Sequence, residues 1–484
     1  MIQKYDVDVF NENQEVFKIE LASDGQFFLC SFIIWGGKKM TKQQNRFDTI
    51  KVRGGYNPAE HNNAVNVPIY QTAAFDFGST ERGLRLFSYQ ELGFIYTRVG
   101  NPTVAVLEQR IAALDGAKGA VALASGMAAI SNTILNLAGG GGRIVASPRL
   151  YGGSFDSFTQ VYPDFGIYID FVEDPDDPKS YAAAIKPDTK AIFVETISNP
   201  NAIIADIEAL ADVAHSHGIP LVVDNTFATP YLFRPFEHGA DIVIYSATKQ
   251  LNGHGNVIAG LVLEGGDFNW ANGKFPQFER KHFTFRDNDG INRNVLEVFP
   301  DAPFTSRIRL TYLNYFGAAL GPFDAYLAIL GLETLSERVA KQVSNAQKLV
   351  RFLESRKEVS WVSHPYAINS PSADLAKKYL PNGAGSVFSF GFRGSDKQSD
   401  KFLNSVKIFS LHANVGDARS LVINSPKTTH GELTPEEQKL AGLLPETIRI
   451  SAGLEDPDDL IADLTQAFEV AFHTKKKRNK EEKK

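Results

Sequence analysis

The sequence predicts a large α/β domain, a mostly parallel sheet with helices on both faces, followed by a smaller α+β domain. Between residues 119 and 263, seven short apolar runs alternate with helix-length segments. The runs are almost continuously hydrophobic, the pattern of strands buried on both faces of a sheet. After about residue 320 the rhythm changes to long helix and then separated strands. The chain has 484 residues, 43% hydrophobic and 22% charged, which is enough to bury a large core and excludes wholesale disorder, a collagen-like fibre and a polytopic membrane protein. Fifty Lys plus Arg against 56 Asp plus Glu leave a net charge of −6, which argues against a whole-protein footprint for nucleic acid.

Residues 1–39 are expected to form an atypical, poorly ordered leader. Their apolar run FFLCSFIIWGG (27–37) is too short for the roughly 20 residues of a bilayer span. Asp6, Asp8, Glu12, Glu15, Glu20 and Asp24 before it have the wrong sign for a secretory signal. Cys30 is the one cysteine, so an intramolecular disulfide and a Cys-based zinc site are excluded. That usage fits a reducing compartment, most simply the cytosol. The seven strand candidates are AVALAS (120–125), RIVAS (143–147), IYIDFV (167–172), KAIFVET (190–196), IPLVVDN (219–225), DIVIYS (241–246) and VIAGLVLE (257–264). Between them, DIEALADVAHSHG (206–218) reads as a helix ending on glycine. Residues 265–320 are irregular, aromatic and charged, too long for a simple connection, so short helices or a functional role are expected there. Residues 322–355 read as long helix with one glycine interruption. VSWVSH (359–364), SVFSFGF (386–392), SLVIN (420–424) and TIRISAG (447–453) are strand candidates, and 456–472 is a closing helix with Asp in its first turn. The tail KKKRNKEEKK (475–484) reads as a solvated end.

Three segments carry chemistry. In YSATKQLNGHG (245–255), Lys249 follows a buried strand at the end where such folds place ligands. Desolvated there it can form a Schiff base with an aldehyde; the alternative is a surface lysine in a loop. In VVDNTFATP (222–230), Asp224 ends a strand, where a buried carboxylate needs a partner. The protonated ring nitrogen of a pyridine cofactor is one partner and a capped turn is the other reading. In ALASGMAAI (122–130), Gly126 opens a helix whose free N–H groups suit a phosphate. Phosphate cradle, ring acid and aldehyde-binding lysine fall in that order on one α/β domain.

The joint pattern resembles the fold-type I pyridoxal phosphate (PLP) enzymes, and within them the Cys/Met-metabolism family, most closely its O-acetylhomoserine sulfhydrylases. The resemblance spans about residues 46–473. It rests on NVPIYQTAAF (66–75), YTRVGNPT (96–103), ASGMAAI (124–130), YGG (151–153), ETISNP (195–200), GLETLSER (331–338), HANVGDARSLV (412–422) and RISAGLEDPDDLIADL (449–464), besides the Asp224 and Lys249 segments. It implies an arm over 40–105 that contributes to a neighbouring subunit, a PLP-binding domain over 106–320 on a seven-stranded sheet, and a C-terminal domain over 321–473. Lys249 would hold PLP, Asp224 its ring nitrogen, and Gly126 and Met127 its phosphate, with hydroxyls from Ser246 and Thr248. Tyr151 would stack on the ring and share acid–base work with Lys249, and Asn199 would sit near the ring hydroxyl. Tyr96 and Arg98 would reach the phosphate of the neighbouring subunit, giving a dimer and, from two dimers, a tetramer. Arg449 would clamp the substrate carboxylate, with Asn414 beside it.

The implied reaction is γ-replacement of the acetyl group of O-acetyl-L-homoserine by sulfide or methanethiol. A γ-lyase acting on methionine or cystathionine, a cystathionine γ-synthase-like transferase and a non-catalytic protein on the same fold are the alternatives. The chain departs from the pattern in three places. VAKQVSNA follows GLETLSER where many relatives carry a histidine, the 265–320 segment is idiosyncratic, and the leader has no counterpart; TTH at 428–430 is kept.

Overall fold

The structure, a computed structural model, describes residues 9–10, 16–17, 45–286 and 290–472. The apolar run at 27–37, Cys30 and the basic tail lie outside the described residues, as does most of the expected leader. Within the unit Met1–Ile34, Val9–Phe10 and Val16–Phe17 form a small antiparallel ribbon. The unit Trp35–Lys484 holds every other element.

Its centre is a seven-stranded sheet. The strands are β1 (Gly119–Leu123), β2 (Gly142–Ala146), β3 (Ile167–Phe171), β4 (Thr189–Glu195), β5 (Leu221–Asp224), β6 (Ile242–Ser246) and β7 (Gly260–Glu264). Their spatial order is β1-β7-β6-β5-β4-β2-β3. β7 runs antiparallel to both neighbours and the other pairs are parallel. β1 to β6 therefore point one way, and their C-terminal ends share one edge. The continuous hydrophobicity of the runs resolves into two cores by the period-two alternation of a strand. Leu221, Val223, Val243, Tyr245, Leu261 and Leu263 face one core, while Val222, Ile242, Ile244 and Val262 face the other.

Helices close both cores. On the first, α1 (Pro102–Asp115) starts with Asn101 accepting the Thr103 N–H at 3.0 Å and Pro102 in its first turn, and buries Leu107 and Ile111. α3 (Ile207–Ser216) buries Leu210 beside it. On the second, α2 (Gly126–Ala138) buries Ile130 and Ile134. The 265–320 segment forms short helices Pro276–Glu279, Val295–Val298 and Pro303–Arg307 and a ribbon of His282–Arg286 with Asn292–Arg293. It is pinned by packing: Trp270 stacks on Phe278 and Phe304 at 4.6 and 5.0 Å. Buried Glu264, at the end of β7, accepts the N–H groups of Phe304 and Thr305 at 3.0 and 2.6 Å, and burial pushes its carboxyl up to about 7.

The smaller sheet is antiparallel. β8 (Val359–Ser363), β9 (Val387–Phe392), β10 (Leu421–Asn424) and β11 (Thr447–Ser451) take the order β8-β9-β11-β10. The closing helix α6 (Pro457–Phe472) packs Leu460, Leu464 and Phe468 against Phe390, Ile448 and Ile450 of this sheet.

The expected long helix is two helices, α4 (Pro322–Leu332) and α5 (Leu335–Glu354), broken at Glu333–Thr334 and not at a glycine. Gly331 stays inside α4 because a Cβ there would stand 2.6 Å from the Cα of Asn252; the glycine permits close packing. Arg338 stabilises the break. Only 5% exposed, it donates to the carbonyls of Gln250 (2.8 Å), Leu251 (3.2 Å) and Gly331 (2.6 Å) and to Thr334 Oγ1 (3.1 Å). The start of α5 also holds the helix Phe47–Arg53: buried Lys51 reaches Ser336 Oγ and Glu337 Oε1, both at 2.5 Å, and Asp48 at 3.1 Å.

Replacing Arg338 with Met strips three carbonyls of a charged donor. The unfolding free energy is expected to fall by about 3 kcal/mol. Urea denaturation checks this, and a change within about 0.5 kcal/mol of wild type, the range of an ordinary surface substitution, would refute the anchoring role.

Candidate active site

The sheet's shared edge collects the chemistry. Gly126 follows β1, Tyr151 follows β2, Glu195 ends β4, Asp224 ends β5, Ser246 ends β6 and Lys249 comes just after it. This is the edge where open α/β sheets bind ligands.

At the start of α2, Ser125 caps the helix by accepting the Ala128 N–H at 3.0 Å. A Cβ on Gly126 would stand 2.7 Å from the Cβ and 2.8 Å from the Oγ of Ser246, so only glycine lets the helix N-terminus come this close to the end of β6. Ser246 is fixed by its own N–H, which donates to Thr226 Oγ1 at 2.9 Å. Met127 packs its side chain on the α2 core, leaving its backbone as the group available to a phosphate. Thr248 is held differently: its Oγ1 accepts the Ala259 N–H at 3.0 Å and donates to the Ala259 carbonyl at 3.3 Å.

Asp224 Oδ1 accepts the Thr226 N–H at 3.0 Å, and burial pushes its carboxyl upward against that bond. Its register partner on β4 is Glu195, a residue for which the sequence suggested no role. Glu195 is buried and accepts two backbone N–H groups, Tyr151 at 2.6 Å and Asn199 at 2.9 Å. Burial, and then the Asp224 charge, push it well above the ordinary carboxylate range. A signal existed in the sequence: Glu195 ends an apolar run as Asp224 does, and a carboxylate in that position needs partners. Tyr151 keeps an exposed ring that lies over Gly153, where a Cβ would come within 2.7 Å of the ring.

Lys249 Nζ donates to Asn414 Oδ1 at 2.8 Å. Burial, and then the Arg449 charge, lower its pKa to about 8. Arg449 lies on β11, 4% exposed, donating Nη1 to Asn199 Oδ1 at 3.0 Å and Nη2 to the Asn414 carbonyl at 3.2 Å. Burial lowers it to about 10, so it stays charged at neutral pH. Lys249, Asn414, Arg449, Asn199, Glu195 and Tyr151 thus form one continuous set of contacts. Tyr96 and Arg98 are placed elsewhere: Arg98 donates to Asn314, 2.7 Å to its Oδ1, with its guanidinium 5.3 Å from the Tyr96 ring.

These residues fit pyridoxal phosphate. Gly126 and Ser246 make a cradle that any side chain on residue 126 would fill, Asp224 suits a ring N–H, and Lys249 is a lysine of lowered pKa at the same sheet edge. Among the described residues no group of three or more His, Cys, Asp or Glu could hold a metal, and no helix is long and apolar enough to cross a membrane.

The unprotonated amine is the nucleophile, so cofactor uptake by cofactor-free protein is expected to quicken as pH rises through about 8 and to level off above it. Arg449→Met removes the neighbouring charge and should move that midpoint upward. Visible absorbance follows the uptake, and a wild-type midpoint near the ordinary 10.5 would contradict the lowered pKa.

Residues 48–469 match the Cys/Met metabolism PLP-dependent enzyme family. Homocysteine synthase of Schizosaccharomyces pombe is 43% identical over 89% of this chain and 100% of its own. O-acetyl-L-homoserine sulfhydrylase 1 of Thermus thermophilus is 41% identical over 87% and 100%. A crystal structure from Campylobacter jejuni, named as an O-acetylhomoserine (thiol)-lyase with a pyridoxyl-lysine phosphate, superposes with a TM-score of 0.83 at 37% identity, covering 88% of this chain and 100% of that one. With fold, site and relatives in agreement, the chain belongs to the Cys/Met metabolism family of PLP-dependent enzymes.

Proposed function

We propose that the protein replaces the acetyl group of O-acetyl-L-homoserine with sulfide or methanethiol, releasing acetate and L-homocysteine or methionine, in sulfur amino-acid biosynthesis. The meeting of Lys249, Asn414 and Arg449 carries this reading, because it sets a proton-transfer base beside a carboxylate clamp. The names of the Schizosaccharomyces pombe and Thermus thermophilus relatives support it.

Bound PLP supplies an electron sink for the pair left when a proton leaves the substrate. Asp224 holds the cofactor ring nitrogen in its protonated form. Arg449 uses two of its donors on Asn199 and Asn414, which leaves a fork for the substrate carboxylate. Lys249 Nζ, with its pKa near 8, is unprotonated often enough at neutral pH to take the α-proton and later return one. The Tyr151 hydroxyl is the second acid–base group. The γ-carbon–oxygen bond breaks as acetate leaves, and sulfide loses a proton as it forms the γ-carbon–sulfur bond.

The active unit is a homodimer sharing its sites, two of which form a tetramer. Tyr96 and Arg98 serve the neighbour's cofactor phosphate. Exposed Val65, Leu84, Phe87, Tyr315 and Phe316 give the chain apolar surface to bury against a second copy. The single cysteine fits residence in the cytosol.

Purified, PLP-loaded protein given O-acetyl-L-homoserine is expected to yield homocysteine only when sulfide is added, and Lys249→Ala to yield none. Equal release of 2-oxobutyrate with and without sulfide would instead make it a γ-lyase. If sites are shared, mixing inactive Arg98→Ala and Lys249→Ala subunits restores turnover, because a mixed dimer holds one intact site. No recovery after verified subunit exchange would place Arg98 outside the neighbour's site.

A further inference from the structure

Glu195 is a buried carboxylate at the edge shared by the C-terminal strand ends, and both of its oxygens are spent on backbone. One accepts the N–H of Tyr151, in the loop after β2, and the other the N–H of Asn199, in the loop after β4. The side chain of Asn199 then accepts from Arg449, which reaches in from β11 of the smaller sheet. The backbone of the tyrosine and that of the asparagine behind the arginine are therefore fixed to opposite ends of the same rigid group. Register also fixes what stands next to this carboxylate. Glu195 stands opposite Asp224, so its side chain lies beside the acid assigned to the cofactor ring.

We propose that Glu195 is a positioning residue for the reaction: through Asn199 it sets the aim of Arg449 at the substrate carboxylate, and through the Tyr151 N–H it sets the spacing between that clamp and the ring-facing tyrosine. This rests on Arg449 taking the substrate carboxylate. Both bonds need acceptors. An amide in place of the carboxylate has one oxygen and one NH₂, so it turns a donor toward one of the two N–H groups and breaks that contact.

The experiment compares Glu195→Gln with wild type as PLP-loaded protein. KM for O-acetyl-L-homoserine is expected to rise about tenfold, the worth of one buried hydrogen bond, with kcat changed less than about threefold. In an Asn199→Ala background the same change should cost less than about threefold in KM, because the route to Arg449 is already cut. A part that merely stabilises the fold would lower the melting temperature and leave KM alone; an unchanged KM overturns the proposal. So does an equal KM penalty with and without the Asn199 side chain. If Glu195→Gln does not fold, Glu195→Asp decides, since it keeps both carboxyl oxygens but is one methylene too short to span both N–H groups. Calorimetric titration with L-homoserine separates this inference from the proposed function. If wild type makes no homocysteine yet binds L-homoserine more tightly than the variant, the role of Glu195 stands and the reaction does not; equal binding overturns the role.

Discussion

Two carboxylates stand side by side at the ends of β4 and β5, and much of the surrounding architecture makes that arrangement tolerable. Taken out of water, neither Glu195 nor Asp224 remains charged without help. Glu195 is supplied with the N–H groups of Tyr151 and Asn199, Asp224 with that of Thr226. The loops that deliver the two donors of Glu195 are the loops that carry the tyrosine and the asparagine of the site. Feeding the buried charges and arranging the reactive groups are one structural task. A cofactor ring carrying a proton on its nitrogen would relieve the remaining imbalance at Asp224.

The same economy holds on the other side of the lysine. Its loop is bonded at both flanks: Thr248 is tied to Ala259 just before β7, and the carbonyls of Gln250 and Leu251 are held by Arg338. Between these anchors only the Lys249 side chain is left to reach out, and it meets Asn414. The larger sheet thus supplies Gly126, Glu195, Asp224 and Lys249, and the C-terminal part of the chain supplies Asn414, Arg449 and the guanidinium that steadies the lysine's loop.

The strands of the larger sheet were legible because burial on both faces leaves an unbroken apolar signature, and each of the seven runs became a strand within a few residues. Lys249, Asp224 and Gly126 were legible as one set because a glycine opening a helix, an acid ending a strand and a lysine just after a strand follow in order on one α/β domain, although Gly and Asp are each common at strand ends. Glu195 was not: its place at the end of an apolar run is the one hint, and its partners are backbone N–H groups that no side-chain pattern reports. Arg338 escaped for the same reason: it satisfies carbonyls and leaves no acidic residue at helical spacing as a clue. The sequence points to a helix interruption at a glycine because glycine usually weakens helices, whereas here Gly331 answers to the crowding of Asn252 and the break answers to Arg338. Thr248 carries the hydroxyl expected from the motif, but its bonds to Ala259 depend on the antiparallel return of β7, a tertiary fact.

The Lys51 anchor determines where this polypeptide can be shortened. The helix Phe47–Arg53 lies far from the reactive lysine in sequence, yet Lys51 neutralises Glu337 and bonds Ser336 in the first turn of α5, and the next residue is Arg338. Trimming that stops before Phe47 leaves this relay whole. Trimming that passes Arg53 takes away the buried cation, leaves Asp48's former partner Ser336 and the carboxylate of Glu337 unmatched, and slackens the first turn of α5 from which Arg338 grips the lysine's loop. Protein-engineering decisions about the front end of this enzyme therefore reach the Lys249 loop through three consecutive residues of one helix.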